Sequence, residues 1–295
     1  MMVGWTVLTL VRTTTEYFQK RGIPAPRLSA EYLLADVLGC RRLDLYLDFD
    51  RPVSAGEIDA YRERVRRRSA HEPIEYITGK AGFRDLELAV DSRVLIPRPE
   101  TEQLVDEVLE WARAESRHGR APSGGWRLVD VGTGSGAIAC ALAKELDGLD
   151  WVLGIDSSPG AIAVARGNAD HTHSQRTRWV VADGLAALVP GLRVDAVVAN
   201  PPYLANKERA LLEPQVVDWE PEAALFAGPC GDEALGVLVA AAAARLRPAG
   251  LLALEVGAGQ AGGVEAMIAD TTGLKHLSTY RDHNGIERGV LALAD

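Results

Sequence analysis

Apolar residues follow two regimes along the chain. Up to about residue 70 they recur at helical spacing, which predicts helices from Thr6 to Lys20, Ser29 to Leu38 and Arg42 to Leu47. Gly22, Pro24, Pro26, Gly39 and Pro52 punctuate them. A fourth helix starts at Ser54, where Glu57 three residues on gives a capping-box signature, and runs to about Ala70 before Pro73 stops it. Residues 1–73 therefore read as a small helical domain.

Between Glu75 and Ile96 the period shortens. Tyr76-Ile77-Thr78 and Leu86 to Leu95 read as strand pieces broken by Gly79, Gly82 and Asp91, so residues 74–97 are expected to form a β-hairpin linker. Pro97 and Pro99 bracket Arg98 and lead into a helix from Glu100 to Ser116, with Leu104, Val105, Val108 and Leu109 as its apolar stripe. A second domain, 98–295, begins there. Strand candidates at Leu128 to Val131, Trp151 to Ile155, Trp179 to Val181, Ala196 to Ala199 and Leu251 to Val256 then alternate with helices from Ala137, from Ala161, over Glu233 to Leu246, and from Val264. That rhythm implies βαβ crossovers and a mostly parallel sheet covered on both faces. Leu274 to Tyr280 and Gly289 to Leu293, joined at Asn284-Gly285, are spaced tightly enough to make the last strand antiparallel.

Composition narrows the partners. The chain has 295 residues and a net charge of -9, but residues 1–75 carry 12 basic against 11 acidic side chains and the remainder 20 against 30. An autonomous grip on nucleic acid needs clustered positive charge, and the one basic run, Arg62 to Arg68, alternates with Glu63 and reads as a solvated helix face, with a partner-docking patch as the alternative. No direct nucleic-acid binding is expected. Cys40, Cys140 and Cys230 show no paired spacing, which points to a reducing compartment, and each reads as a small buried apolar residue. The opening Met-Met-Val-Gly-Trp has no basic leader region, and no apolar run is long enough for a bilayer. A cytoplasmic protein without membrane contact is expected. His171 and His173 have no third and fourth ligand near them, so no metal site is assigned.

Leu128-Val129-Asp130-Val131 runs directly into Gly132-Thr133-Gly134-Ser135-Gly136 and then into a helix, which places the glycine loop at the carboxyl end of the first strand, where open α/β sheets bind ligands. The spacing is G-x-G-x-G after an acid rather than G-x-G-x-x-G, and no Lys-Ser/Thr pair follows. The next strand ends in Asp156, whose carboxylate can accept from both hydroxyls of a ribose. Asp183 ends the third strand, placed either for an adenine amino group or as a helix N-cap; Asp130 either touches the cofactor or orders the backbone. The loop and its acids resemble S-adenosylmethionine methyltransferases built on a seven-stranded Rossmann-like sheet. Gly132, Thr133, Gly134, Ser135, Gly136, Asp156, Asp183 and Asn200 are the expected cofactor-binding residues.

The fourth strand delivers Asn200-Pro201-Pro202-Tyr203 to the same sheet edge. An amide or exocyclic amino nitrogen is a poor nucleophile because its lone pair is delocalised, so it must be oriented toward the sulfonium methyl. The Asn200 side-chain oxygen and the Pro201 carbonyl can accept its two protons and favour the positive charge that builds on it. The prolines hold that carbonyl in place, and Tyr203 offers a ring face to a planar group. Asn200, Pro201 and Tyr203 are the catalytic candidates, and Asn200 to Tyr203 the substrate-binding set. Alignment for in-line displacement suffices without a catalytic base, and Glu255 is placed outside the site as an internal hydrogen-bonding residue. The tetrapeptide alone leaves a protein glutamine and an adenine of nucleic acid both open.

Over nearly its whole length the chain resembles the PrmC (HemK) family, the peptide chain release factor N5-glutamine methyltransferases. The matching residues are Leu95-Ile96-Pro97-Arg98-Pro99-Glu100-Thr101-Glu102, Asp130 to Gly136, Asp156, Asn200 to Tyr203, Glu220-Pro221 and Ala224-Leu225. The resemblance implies methyl transfer to the glutamine of the Gly-Gly-Gln loop of release factors, with the small N-terminal domain helping to dock the factor. Where some members carry an aromatic residue after the third-strand acid, Gly184 stands here, which removes stacking on the adenine. The alternatives are a sister family that methylates a ribosomal-protein glutamine, N6-adenine methylation, and a non-catalytic binding module.

Overall fold

The computed structural model describes residues 5–295; the first four residues of the stretch read as lacking a leader lie outside the described residues. The chain divides into two compact units, one running up to Lys80 and including Glu213–Trp219, the other formed by Ala81–Leu212 and Glu220–Asp295.

The first unit is built from α1 (Val7–Lys20), α2 (Pro26–Leu38), a 3-10 turn at Arg42–Leu47, α3 (Ala55–Arg68) and α4 (Ile74–Thr78). Ser54 forms the expected capping box: its amide donates to Glu57 Oε2 at 2.8 Å and its hydroxyl accepts from the Glu57 amide at 3.4 Å. Phe18, Leu33, Leu34 and Tyr61 fill the core, and the Tyr61 hydroxyl finds the Ala30 carbonyl. Two expectations need correction. Tyr76-Ile77-Thr78 is a helical turn, because Pro73 opens it, Gly79 closes it at φ +74°, and Tyr76 and Ile77 bury together; so short an apolar run carries no period of its own. Nor is the basic run a purely solvated face: Arg64 pairs with Asp36, Arg67 with Glu72, and Arg68 is buried, donating to the Glu72 carbonyl and to Gln215 Oε1.

The second unit opens with a hairpin, β1 (Lys80–Phe83) and β2 (Leu86–Ala89). The strand expected to continue to Leu95 stops at Ala89, since Asp91 turns the chain by accepting from the Val94 amide through its carbonyl and from the Arg93 amide through its side chain. Then follow α5 (Pro99–Arg117), β3 (Trp126–Val131), α6 (Ala137–Glu145), β4 (Leu149–Asp156), α7 (Pro159–His171), β5 (Thr177–Val181), β6 (Val194–Ala199) and β7 (Leu204–Ala205). The one-turn α8 (Pro214–Val217) belongs to the first unit. The second resumes with α9 (Glu222–Leu225), β8 (Phe226–Gly228), α10 (Glu233–Ala243), β9 (Leu246–Glu255), α11 (Ala261–Ala269), β10 (Leu274–Arg281) and β11 (Glu287–Ala294). α10 ends at Ala243, short of the expected Leu246, which already pairs with Val194 as the first residue of β9.

The main sheet has seven strands in the order β10-β11-β9-β6-β3-β4-β5; β11 is antiparallel to both neighbours and the remaining pairs are parallel. Successive residues of each central strand feed opposite cores. Leu128, Ala196, Val198, Leu251 and Ala253 pack under α5 and α6, while Val129, Val197, Ala199, Leu252 and Leu254 pack under α10 and α11. This is the expected α/β class with helices on both faces. After β5 the chain returns to the other side of β3, so the loops after β3 and β6 meet where strand order reverses. No helix of the described residues is long and apolar enough to cross a membrane.

Candidate active site

At that reversal lies a cavity of about 700 Å³, walled by Gly132 and Gly134 after β3, Asp156 after β4, Asp183 to Leu185 after β5, and Asn200, Pro201 and Pro202 after β6. Val237, Leu238 and Ala241 of α10 close an apolar side next to Asp183 and Gly184. A drug-sized ligand fits this volume, and the acids sit at its polar margin.

The glycine loop is held from below. Gly132 and Gly134 adopt φ of +73° and +55°, which favours glycine. The Gly132 and Thr133 amides both donate to the Ile155 carbonyl, and the Gly134 amide donates to Asp156 Oδ2 at 2.9 Å. Asp156 Oδ1 accepts from the Ser158 amide, so each oxygen keeps a lone pair for a ligand. Thr133, Ser135 and Gly136 are not on the cavity wall. Thr133 is buried with its hydroxyl on Asp130, Ser135 is buried, and Gly136 starts α6 against Trp179, which also fills the space a side chain would need at Gly154. Asp130 is fully buried and accepts from the Thr133 hydroxyl at 2.6 Å and the Ala139 amide at 3.2 Å, acting on the backbone rather than lining the cavity. Burial pushes its carboxyl up to about 7. Asp183 lines the cavity and caps nothing with its side chain.

The acceptor tetrapeptide divides. Asn200, Pro201 and Pro202 line the cavity, while Tyr203 lies behind them with its ring near Gly257 and its carbonyl accepting from Gln260 Nε2 at 2.9 Å. Burial, followed by the nearby Glu255 charge, pushes the Tyr203 phenol up to about 12.

Several residues outside the glycine loop and the acceptor tetrapeptide hold these loops. Asn168 of α7 is buried, exchanges two hydrogen bonds with the Ala89 backbone and donates to the Ser135 carbonyl. Gln260 ties Tyr203 to Gly231 and accepts from Gly257. Glu220, buried, accepts from the Ile96 amide at 3.2 Å and from Arg98 at 2.5 Å. Glu255 is buried at the end of β9, where it accepts from the Thr101 hydroxyl. Of the cysteines, Cys140 alone is fully buried; Cys230 is exposed in the loop before α10, contrary to its reading as a core residue.

The first unit matches the family "PrmC N-terminal domain" over residues 9–79, and residues 121–217 match "Methyltransferase small domain". Over 295 residues the chain is 40% identical to the release factor glutamine methyltransferase of Chlorobaculum tepidum, covering 98% of each protein. It is 39% identical to the release factor glutamine methyltransferase of Geobacter sulfurreducens, over 97% of this chain and 96% of that one. Among solved structures, the hMettl16 catalytic domain in complex with MAT2A 3'UTR hairpin 6 aligns with a TM-score of 0.52 at 17% identity, over 70% of this chain and 74% of that chain. That last likeness is one of fold alone.

Proposed function

The chain belongs to the release factor glutamine methyltransferase family, and from that premise we propose that it transfers a methyl group from S-adenosylmethionine to the N5 amide nitrogen of the Gly-Gly-Gln glutamine of peptide chain release factors. The observation that carries the reading is that Asn200 and Pro201 share one cavity with Gly132, Gly134, Asp156 and Asp183. A ribosomal-protein glutamine and a nucleic-acid adenine are less favoured by the full-length relatives. We place the reaction in the cytoplasm.

Asp156 would accept from the ribose hydroxyls, Asp183 would hold the adenine amino group, and Leu185 with the α10 wall would supply apolar contact that Gly184 does not. When bound, the cofactor supplies a methyl group on a sulfonium leaving group. The residues of the chain supply alignment. Asn200 Oδ1 and the Pro201 carbonyl accept the two glutamine N–H groups, aiming the nitrogen along the carbon–sulfur axis. As the nitrogen takes up the methyl group, the two acceptors would stabilise the positive charge growing on it. The nitrogen then sheds one proton to water.

Labelled S-adenosylmethionine incubated separately with release factor, the ribosomal protein and adenine-containing DNA tests the reading. Label is expected in release factor; label in either other acceptor but not in release factor would overturn it. Asn200→Ala should reduce transfer by about a hundredfold or more with near-normal cofactor binding, and Asp156→Ala should chiefly weaken cofactor binding.

A further inference from the structure

Three side chains from distant parts of the chain form a file leading to the acceptor site. Glu255 ends β9, Asn200 follows β6 beside it, and Thr101 lies in the first turn of α5. The Thr101 hydroxyl donates to Glu255 Oε2 at 2.6 Å, and Asn200 Nδ2 donates to the Thr101 oxygen at 3.0 Å. Thr101 and Glu255 are both buried, whereas Asn200 lines the cavity.

The proton inventory makes the file directional. A threonine hydroxyl has one proton, and Glu255, once ionised above about pH 7, only accepts. Once that proton goes to Glu255, the hydroxyl can present only lone pairs to Asn200. Only the NH₂ end of the Asn200 amide satisfies them, so the carbonyl end is the one turned away from Thr101. A flipped amide would set oxygen against oxygen in a buried place.

Resting on the methyltransfer reading above, we infer that Thr101 and Glu255 are positioning residues: they fix which end of the Asn200 amide meets the substrate and so make the site select an N–H-bearing acceptor. An asparagine free to turn would offer N–H to N–H in a share of the molecules, and the two-acceptor clamp would be lost in those.

The test compares Thr101→Val, which keeps the shape and removes the hydroxyl, with Thr101→Ser, which keeps the hydroxyl. Release factor is the substrate, and a factor with glutamate in place of the acceptor glutamine is the binding probe. For Thr101→Val, kcat should fall about tenfold or more while S-adenosylmethionine affinity stays within about twofold, which also reports a folded protein. Thr101→Ser should recover to within about threefold of the unaltered enzyme. The preference for binding the glutamine factor over the glutamate factor should narrow in Thr101→Val, because its Asn200 can turn an N–H toward the carboxylate. Unchanged kcat in Thr101→Val, equal impairment in Thr101→Ser, or an unaltered glutamine-to-glutamate preference would each overturn the inference while leaving methyl transfer standing. Failure of the unaltered chain to methylate release factor would remove both.

Discussion

Asn168 shows how much of the site hangs on single polar side chains. It bonds both the N–H and the C=O of Ala89, and also the Ser135 carbonyl inside the glycine loop. Asn168→Ala removes all three bonds, one of them fully buried, and should cost about 1–3 kcal/mol, read as a lower urea midpoint at unchanged slope. Cofactor affinity should fall with it, and an unmoved midpoint would mean that water replaces the side chain. Gly154 offers the opposite experiment. A Cβ there would lie 2.3 Å from the Trp179 ring, so Gly154→Ala should destabilise by about 1–3 kcal/mol and disturb the Trp179 fluorescence. The glycine loop, Asp156 and Asn200 to Pro202 were legible in the sequence because each is a local string at a strand end. Asn168 and Gln260 were not. Thr101 stood only within the segment Leu95 to Glu102 and Glu255 only as an internal hydrogen-bonding residue, both without their partners, which are reached through the fold: Asn200 and Thr101 are 99 positions apart, Thr101 and Glu255 154.

Elements tell the same story at longer range. The parallel strands were readable because burial on both faces leaves near-continuous apolar runs such as Ala196-Val197-Val198-Ala199. β7 and β8, of two and three residues, are too short to show any period, and α4 looked like a strand because β-branched residues fill a single turn. The start of α5 is anchored by Arg98 on Glu220, next to the chain that supplies Pro221, Ala223 and Ala224 to the cavity wall. Arg98→Ala strands the buried Glu220 carboxylate and should cost about 2–3 kcal/mol, with a larger rise in KM than loss of kcat if the wall shifts. In the first unit, Ser54→Ala should remove about 1 kcal/mol by opening the α3 cap, seen as a lower melting temperature.

Across the described residues, two buried acids stand out among the carboxyls for their upward shift. Burial pushes the carboxyls of Asp130 and Glu255 up to about 7, so the folded chain holds protons that the unfolded chain releases near pH 4 to 4.5. Their contribution is fully present at low pH and is lost as pH rises toward 7, by about 1.4 kcal/mol per pH unit for each group at most. Denaturation curves between pH 4.5 and 7 should show that decline, and Asp130→Asn or Glu255→Gln should flatten it; a variant that keeps the full slope would clear its residue of the effect. Glu31 in the first unit works in the other direction. Its burial opposes ionisation, but hydrogen bonds from Tyr46, Arg27 and Arg42 outweigh it and hold the carboxyl low, so its contribution is lost only in stronger acid. The position of β6 has a further consequence for the time scale of failure. Every residue of this strand is buried, and it lies between β3 and β9 at the middle of the sheet. Its amide hydrogens should be among the slowest in the protein to exchange with deuterated water, escaping only when the second unit opens globally. Asn200 hangs from the end of that strand, so on heating the acceptor geometry and the fold should disappear in one event, with no interval in which an intact protein has lost its aim.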